Sequence, residues 1–267
     1  MNGQLVDRIA LSRRDRSRRW RVQFVVMWAV IIAALLAFIL LTIRLDSTFI
    51  QQWLPFILTG IPVTIFVALV SIFFACILAT LGALGRISRN PFLNAVASFY
   101  VSFFRGTPLL LQILFIYLAL PQAGIVLPAL PTGIVALSLN YGAYLTEIFR
   151  SGIEAVPGGQ VEAAASLGMS DRLAFRRIVV PQAFRIVTPA IGNDFIAMLK
   201  DSSLVSVVGV QELLWRAQTA GRPTFQSMQT LLVAALVYWT LTILFSFFQN
   251  RLERRMAAGD RSTERGR

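Results

Sequence analysis

Residues 56–84 read FILTGIPVTIFVALVSIFFACILATLGAL, with no charged side chain anywhere in the stretch. About 20 apolar residues suffice for an α-helix to cross the hydrocarbon of a bilayer, so this run is long enough to span it with some tilt. Five further apolar runs flank it, at about 23–43, 93–119, 128–148, 186–209 and 226–248. The reading is an all-α integral membrane protein with about six transmembrane helices. Composition agrees, because the 267 residues are 56% hydrophobic and only 14% charged, where a soluble domain has roughly a quarter charged.

The charges that remain are gathered between the runs, and their placement orients the chain. Seven Arg precede residue 23, Arg86 and Arg89 lie in 85–92, five Arg lie in 149–185, and six follow Gln249. The alternate connections hold only Arg44, Arg216 and Arg222, so 20 basic residues face three. Excess Arg and Lys mark the cytoplasmic side, which places both termini in the cytoplasm and requires an even number of spans. The basic run Arg13-Arg14-Asp15-Arg16-Ser17-Arg18-Arg19 precedes a segment too long for a signal h-region and without a small-residue cleavage site. It is read as the cytoplasmic flank of a retained first span. The tail after Gln249 is expected to fray beyond Ala258.

The same inventory excludes several functions. The net charge of +12 belongs to membrane orientation, so no nucleic-acid partner is expected. There is no His and only one Cys, Cys76, which removes His-based catalysis, intrachain disulfides and most metal sites. No G-x-x-x-x-G-K-[ST] phosphate loop occurs, so ATP is not hydrolysed by this chain in the usual way. No cofactor is expected on it.

Residues 149–185 are the only long hydrophilic segment, and their composition favours structure. Gly158-Gly159 precede Gln160-Val161-Glu162-Ala163-Ala164-Ala165-Ser166-Leu167, a run of good helix formers, and Gly168 follows as a C-cap. Ser170 or Asp171 can cap a second helix from Arg172 to about Val180, ending at Pro181. Two short helices joined at a glycine corner make a compact knob that another protein can grip.

At these residues the chain resembles the permeases of ABC importers. Glu162-Ala163-Ala164, then Gly168, Ile178 and Pro181, is similar to the EAA loop of that family. Phe104-Arg105-Gly106-Thr107-Pro108, Ala143-Tyr144-Leu145-Thr146-Glu147-Ile148 and Leu199-Lys200-Asp201-Ser202-Ser203-Leu204 are similar to segments of its polar amino acid (histidine/glutamine-type) subfamily. The resemblance runs from about Leu54 to Arg255. Val180 stands where the family often has Leu, and the first span is additional to the shortest members. The resemblance implies a transmembrane domain over 54–250, set between basic tails at 1–22 and 251–267 and preceded by the extra helix 23–43.

It further implies that Gln160, Glu162, Ala163, Ala164 and Gly168 form a coupling helix that meets a cytoplasmic ABC ATPase dimer, where ATP and Mg are bound. A second permease chain, identical or homologous, would complete the path. An extracytoplasmic amino-acid-binding protein would deliver the substrate. The setting is the bacterial cytoplasmic (inner) membrane. An ion-coupled secondary carrier or channel is the alternative, but it would want several intramembrane carboxylates and no docking loop.

Candidate substrate-path residues follow from the cost of polar groups in lipid, roughly 2.5–3.5 kcal/mol for an ionisable side chain on insertion scales. Lys200 and Asp201 in the fifth span offer a cation and an anion to a zwitterion. Ser202, Ser203, Asn140, Tyr141 and Tyr144 supply neutral hydrogen bonds. Lys200 and Asp201 equally suit mutual neutralisation or a helix cap, although helical neighbours point about 100° apart. Asp194 is a partner for Lys200 or Arg105. Arg105-Gly106-Thr107-Pro108 predicts a helix break in the third span, with Arg105 at a substrate carboxylate or at a neighbouring helix end. Pro189 and Gly192 mark the fifth span as another helix suited to lining a path.

Overall fold

The computed structural model describes residues 3–42 and 45–264, and its described residues are helical with no strand. Arg44, Arg265 and Arg267, which enter the charge count, lie outside them. The chain divides into two compact units, Met1–Gln51 and Gln52–Arg267.

The first unit holds helix α1, Gly3–Thr42, and the start of α2, Ser47–Leu58. Asp46 caps α2, its Oδ1 accepting from the amides of Thr48 at 2.9 Å and Phe49 at 3.1 Å. This supplies an acceptor to amides that a helix start leaves unpaired.

In the second unit follow α3 (Ile61–Ile87), α4 (Pro91–Gly106), α5 (Leu109–Ala119), a 3-10 turn (Leu120–Ala123) and α6 (Ala129–Glu154). Next come α7 (Gly158–Ser166), α8 (Asp171–Ala174), a π turn (Phe175–Val179), α9 (Val180–Asp201), a 3-10 segment (Ser202–Val208), α10 (Leu213–Gly221) and α11 (Ser227–Glu264).

Length and composition mark Ser47–Ile87 and Ser227–Met256 as able to cross a membrane, and α4 with α5 as a third span bent by 107°. The expected fourth and fifth spans coincide with α6 and with α9 plus its 3-10 extension. These helices are long enough but carry too many polar residues to pass on hydropathy alone. The described apolar part of the first expected span is Trp20–Leu35.

The core is organised by α3 and α6, the most extensively packed pair. Thr64, Ala68, Ser71, Ala75, Ala79 and Gly82 recur every three or four residues on α3 and are all buried. Such a small-residue face lets two backbones approach closely where lipid offers no hydrophobic drive. On α6 the matching position is Gly142, where a Cβ would stand 2.9 Å from Leu78 Cβ and 3.4 Å from Ala75 O of α3. The opposite side of α3 exposes Phe66, Leu69, Phe73, Ile77 and Leu81. Large apolar groups outside and small ones inside invert the soluble pattern. Around the pair, Ile113 of α5, Leu137 and Leu145 of α6, and Met198 and Leu199 of α9 complete the core.

Two expectations about helix ends are corrected. The second helix of the 149–185 segment does not stop at Pro181. Pro181 lies in the first turn of α9, where a missing N–H costs little, and the preceding turn is widened. Helix is therefore continuous from Asp171 to Asp201, and the true connection shortens to 155–170. The C-terminal tail is helical through Glu264 rather than frayed beyond Ala258, although Gly259-Asp260 and Ser262-Thr263 are weak helix formers.

Candidate functional site

Pro108 creates the site by subtraction. With no N–H, it leaves the carbonyl of Phe104 without its helical partner, and the chain turns sharply between α4 and α5. Two side-chain amides supply the missing donors. Gln112 Nε2 donates to Phe104 O at 2.9 Å and to Thr107 O at 3.0 Å. Asn140 Nδ2 donates to Phe104 O at 3.1 Å and to Gln112 Oε1 at 3.2 Å. Thr107 Oγ1 bonds back to Phe103 O at 2.9 Å. The broken backbone is thus satisfied from within the protein, the condition under which a break is tolerated in lipid.

A cavity of about 520 Å³ opens beside this break, within the usual range for a small-molecule site. Arg105 through Leu109 form one wall, Asn140, Tyr141 and Tyr144 of α6 a second, and Asp194, Ala197 and Asp201 of α9 a third. The Tyr141 hydroxyl donates to Asp201 Oδ2 at 2.7 Å, fixing that carboxylate against α6. The Arg105 guanidinium carbon stands 5.2 Å from the centre of the Tyr144 ring, a cation–π placement. Asp194 Oδ2 is buried and has no hydrogen-bond partner among the described residues.

Of the residues singled out in the sequence, Arg105, Asn140, Tyr141, Tyr144, Asp194 and Asp201 converge here. Lys200, Ser202 and Ser203 do not line the cavity. Lys200 is exposed on another face of α9, as the 100° step between helical neighbours requires. Neither Asp201 nor Asp194 forms an ion pair with it among the described residues. Ser202 is fully buried, and its hydroxyl returns to Leu199 O at 2.8 Å. Pro189 and Gly192 do not break α9. The helix changes character only at Ser202, and Gly192 instead gives room to the side chain of Gln249.

The knob forms as its composition suggests. After α7, Met169 N donates to Ala164 O at 3.0 Å and Gly168 N to Ala165 O at 2.9 Å. This paired closure needs a left-handed residue, which Gly168 supplies with φ of +77°. Ala164 is buried against the protein, whereas Gln160, Glu162, Ala163 and Gly168 face outward and Leu167 is 83% exposed. One strap joins α7 to α9: Gln182 Nε2 donates to Gln160 Oε1 and, at 2.9 Å, to Ile178 O.

Two polar clusters went unforeseen in part or whole. Glu147 and Arg150 pair at 2.9 Å as their spacing predicts, but Arg86 of α3 joins Glu147 at 3.0 Å and Glu154 joins Arg150 at 2.6 Å. Arg86 also donates to Ser98 of α4, so three helices are tied together. Elsewhere Glu212 is fully buried. It caps α10 through Trp215 N at 2.8 Å and accepts from the hydroxyls of Tyr238 and, at 3.4 Å, Thr64. Burial pushes its carboxyl above the ordinary carboxylate range, against the pull of these donors. The visible signal was an acidic residue directly before Leu213-Leu214-Trp215, an N-cap position.

Helices packed through small residues, a broken helix braced beside a charged cavity, and a separate exposed knob are the features of a membrane transport component. The chain belongs to the family of binding-protein-dependent transport system inner membrane components, whose sequence profile matches residues 71–258. It is 38% identical over 219 residues to the arginine transport system permease protein ArtQ of Bacillus subtilis, covering 81% of this chain and all of that one. It is 40% identical over 207 residues to the L-cystine transport system permease protein TcyB of the same organism, covering 77% and 88%. A crystal structure of an amino acid ABC transporter with histidines superposes with a TM-score of 0.75 at 37% identity, covering 80% of this chain and all of the other.

Proposed function

We propose that this chain is the permease subunit of an ATP-driven importer that carries polar amino acids across the bacterial cytoplasmic membrane. The single observation that carries the substrate class is the cavity beside the α4–α5 break, where Arg105 and the carboxylates of Asp194 and Asp201 surround one space. An amino acid presents a carboxylate and an ammonium. A site of low dielectric must answer both with groups already in place. Arg105 meets the carboxylate, Asp194 and Asp201 the ammonium, and Tyr141, Tyr144 and Asn140 shape the walls. Lys200 and Ser203 belong to the outer approach, whereas Ser202 is buried in the packing and takes no part in it.

In this reading residues 54–250 form the translocation domain, preceded by the extra helix 23–43 and flanked by the basic tails 1–22 and 251–267. Six spans put both termini and α7 in the cytoplasm, supported by the 20-to-three distribution of basic residues. An ATPase dimer, carrying ATP and Mg, grips α7 through Gln160, Glu162, Ala163 and Gly168, while buried Ala164 seats the helix against the protein instead of meeting the partner. A second permease chain closes the path, and a binding protein delivers the amino acid from outside. The relatives that support this assignment are permeases for arginine and cystine.

The deciding experiment reconstitutes the chain with its ATPase in proteoliposomes. Amino acid uptake is expected to require ATP and the binding protein. Gly168→Asp is expected to reduce uptake by at least about tenfold while membrane abundance stays unchanged. Uptake by this chain alone, without ATP, would overturn the reading in favour of an ion-coupled carrier.

A further inference from the structure

We propose that an apolar groove where α3, α6 and α9 meet takes one acyl chain of an anionic phospholipid, whose headgroup phosphate is held by Arg176 and Arg177. The proposal rests on the reading of the chain as a membrane permease with α7 on the cytoplasmic side, and it concerns a surface that the amino acid path does not use.

The groove encloses about 190 Å³. Thr80 and Leu84 of α3 line it, with Phe149 of α6, Phe175 of the π turn, and Val180 and Phe184 of α9. Thr80 is the one polar side chain in the lining, and its hydroxyl is engaged by Cys76 O at 2.8 Å. Water therefore finds no partner there, and apolar cavities of about 150 Å³ stay dry and accept a small hydrocarbon. The open side is apolar too. Leu84, Val180 and Phe184 are exposed, Phe184 at 61%, and exposed apolar patches mark contact with lipid or a partner.

Charge decides between those occupants. Arg176 and Arg177 precede Val180 by four and three residues, so both lie on its side of the helix, about one turn toward the knob. The distribution of basic residues puts that end at the cytoplasmic surface, the level of the inner-leaflet headgroups. Both arginines are exposed, and neither forms an ion pair among the described residues. Glu147 and Glu154, the acids at the same end of α6, already hold Arg86 and Arg150. Between 171 and 185 Asp171 stands alone against four Arg.

Guanidinium groups meet a phosphate through paired N–H donors, and basic residues at this level attract anionic lipids. A chain leaving that phosphate runs one turn along the helix into the groove. Inorganic phosphate uses the arginines alone, and a lipid without net charge uses the groove alone. An anionic phospholipid uses both, in the order in which the helix presents them.

The test reads lipid retention by native mass spectrometry of the permease–ATPase complex, delipidated in detergent and titrated with phosphatidylglycerol or phosphatidylcholine. Phosphatidylglycerol is expected to bind at least about tenfold more tightly, and equimolar inorganic phosphate should not displace it. Arg176→Gln combined with Arg177→Gln should erase the preference. Arg251→Gln combined with Arg254→Gln, an equal loss of charge in the basic tail, should change it less than about twofold. Val180→Trp fills the groove from its open side and should weaken phosphatidylglycerol at least about fivefold with both arginines intact. Equal retention of the two lipids, a preference that survives loss of Arg176 and Arg177, displacement by phosphate, or indifference to Val180→Trp would each overturn the proposal. Retention of neither lipid would overturn it as well, in favour of a protein partner covering this face. Stimulation of ATP hydrolysis by binding protein and amino acid, measured on the same preparation, reports the permease reading separately. Stimulation beside any of those failures leaves that reading standing, and selective lipid retention without stimulation overturns it while the lipid site holds.

Discussion

Helix α6 carries two charged regions that have been treated in opposite ways. In its C-terminal part Glu147 holds Arg86 at 3.0 Å and Arg150 at 2.9 Å, and Arg150 holds Glu154 at 2.6 Å. Farther along the same helix, Tyr141 and Tyr144 face a cavity in which Arg105, Asp194 and Asp201 form no ion pair among the described residues. Nothing in residue type separates the two, since both use arginines and carboxylates. What differs is whether the protein neutralises its own charges. Paired charges tie α3, α4 and α6 into one scaffold, and unpaired ones hold a place for something that arrives.

The contrast can be broken by removing one charge from each region. The largest loss of stability is expected from Glu147→Ala, which takes from Arg86 its ion-pair partner among the described residues and leaves Arg150 with Glu154 alone, both arginine side chains being less than a third exposed. About 1–3 kcal/mol should disappear, read as a lower Tm of the detergent-purified protein. A double-mutant cycle with Arg86→Ala should recover part of it. An intermediate effect, about 1–2 kcal/mol, is expected from Asn140→Leu, which removes a donor from Phe104 O at the break. Its ligand affinity should fall as well, because the wall formed by Arg105 to Leu109 loses its brace. The smallest change in Tm is expected from Asp194→Asn, within about 0.5 kcal/mol or slightly stabilising, since no partner is left stranded. If Asp194→Asn destabilised the protein as much as Glu147→Ala, the distinction between scaffold and site would fail.

Much of this was legible from residue order. Glycine and proline mark places where backbone geometry is forced, so the break at Gly106-Thr107-Pro108 and the left-handed turn at Gly168 could be anticipated. The helix that carries Asn140, Tyr141 and Tyr144, and the one that carries Asp194 and Asp201, were also foreseen. Azimuth was not. Whether Lys200 or Asp201 faces the cavity depends on the rotation of α9, which is set by packing of Met198 and Leu199 in the core. Gln112 was overlooked because its task, satisfying Phe104 O, exists only once Pro108 has bent the chain. Glu212 was overlooked because its partners Thr64 and Tyr238 are distant in sequence. Pro181 misled, since a proline that usually ends a helix here follows a widened turn inside a continuous one.

The widened turn at Phe175–Val179 has a geometric corollary. A π turn amounts to one residue inserted into an otherwise α-helical run, and each residue advances an α-helix by about 100°. The uninterrupted helix from Asp171 to Asp201 therefore behaves as a shaft with a keyed offset between its two ends. Excising a single residue from 175–179 would return the turn to α geometry and leave Asp194 and Asp201 near their present angle, whereas closing the turn with every residue kept would twist both about a quarter-turn away from Tyr141, without touching either aspartate. The angular setting of the carboxylates is thus written some twenty residues upstream of them, beside the knob.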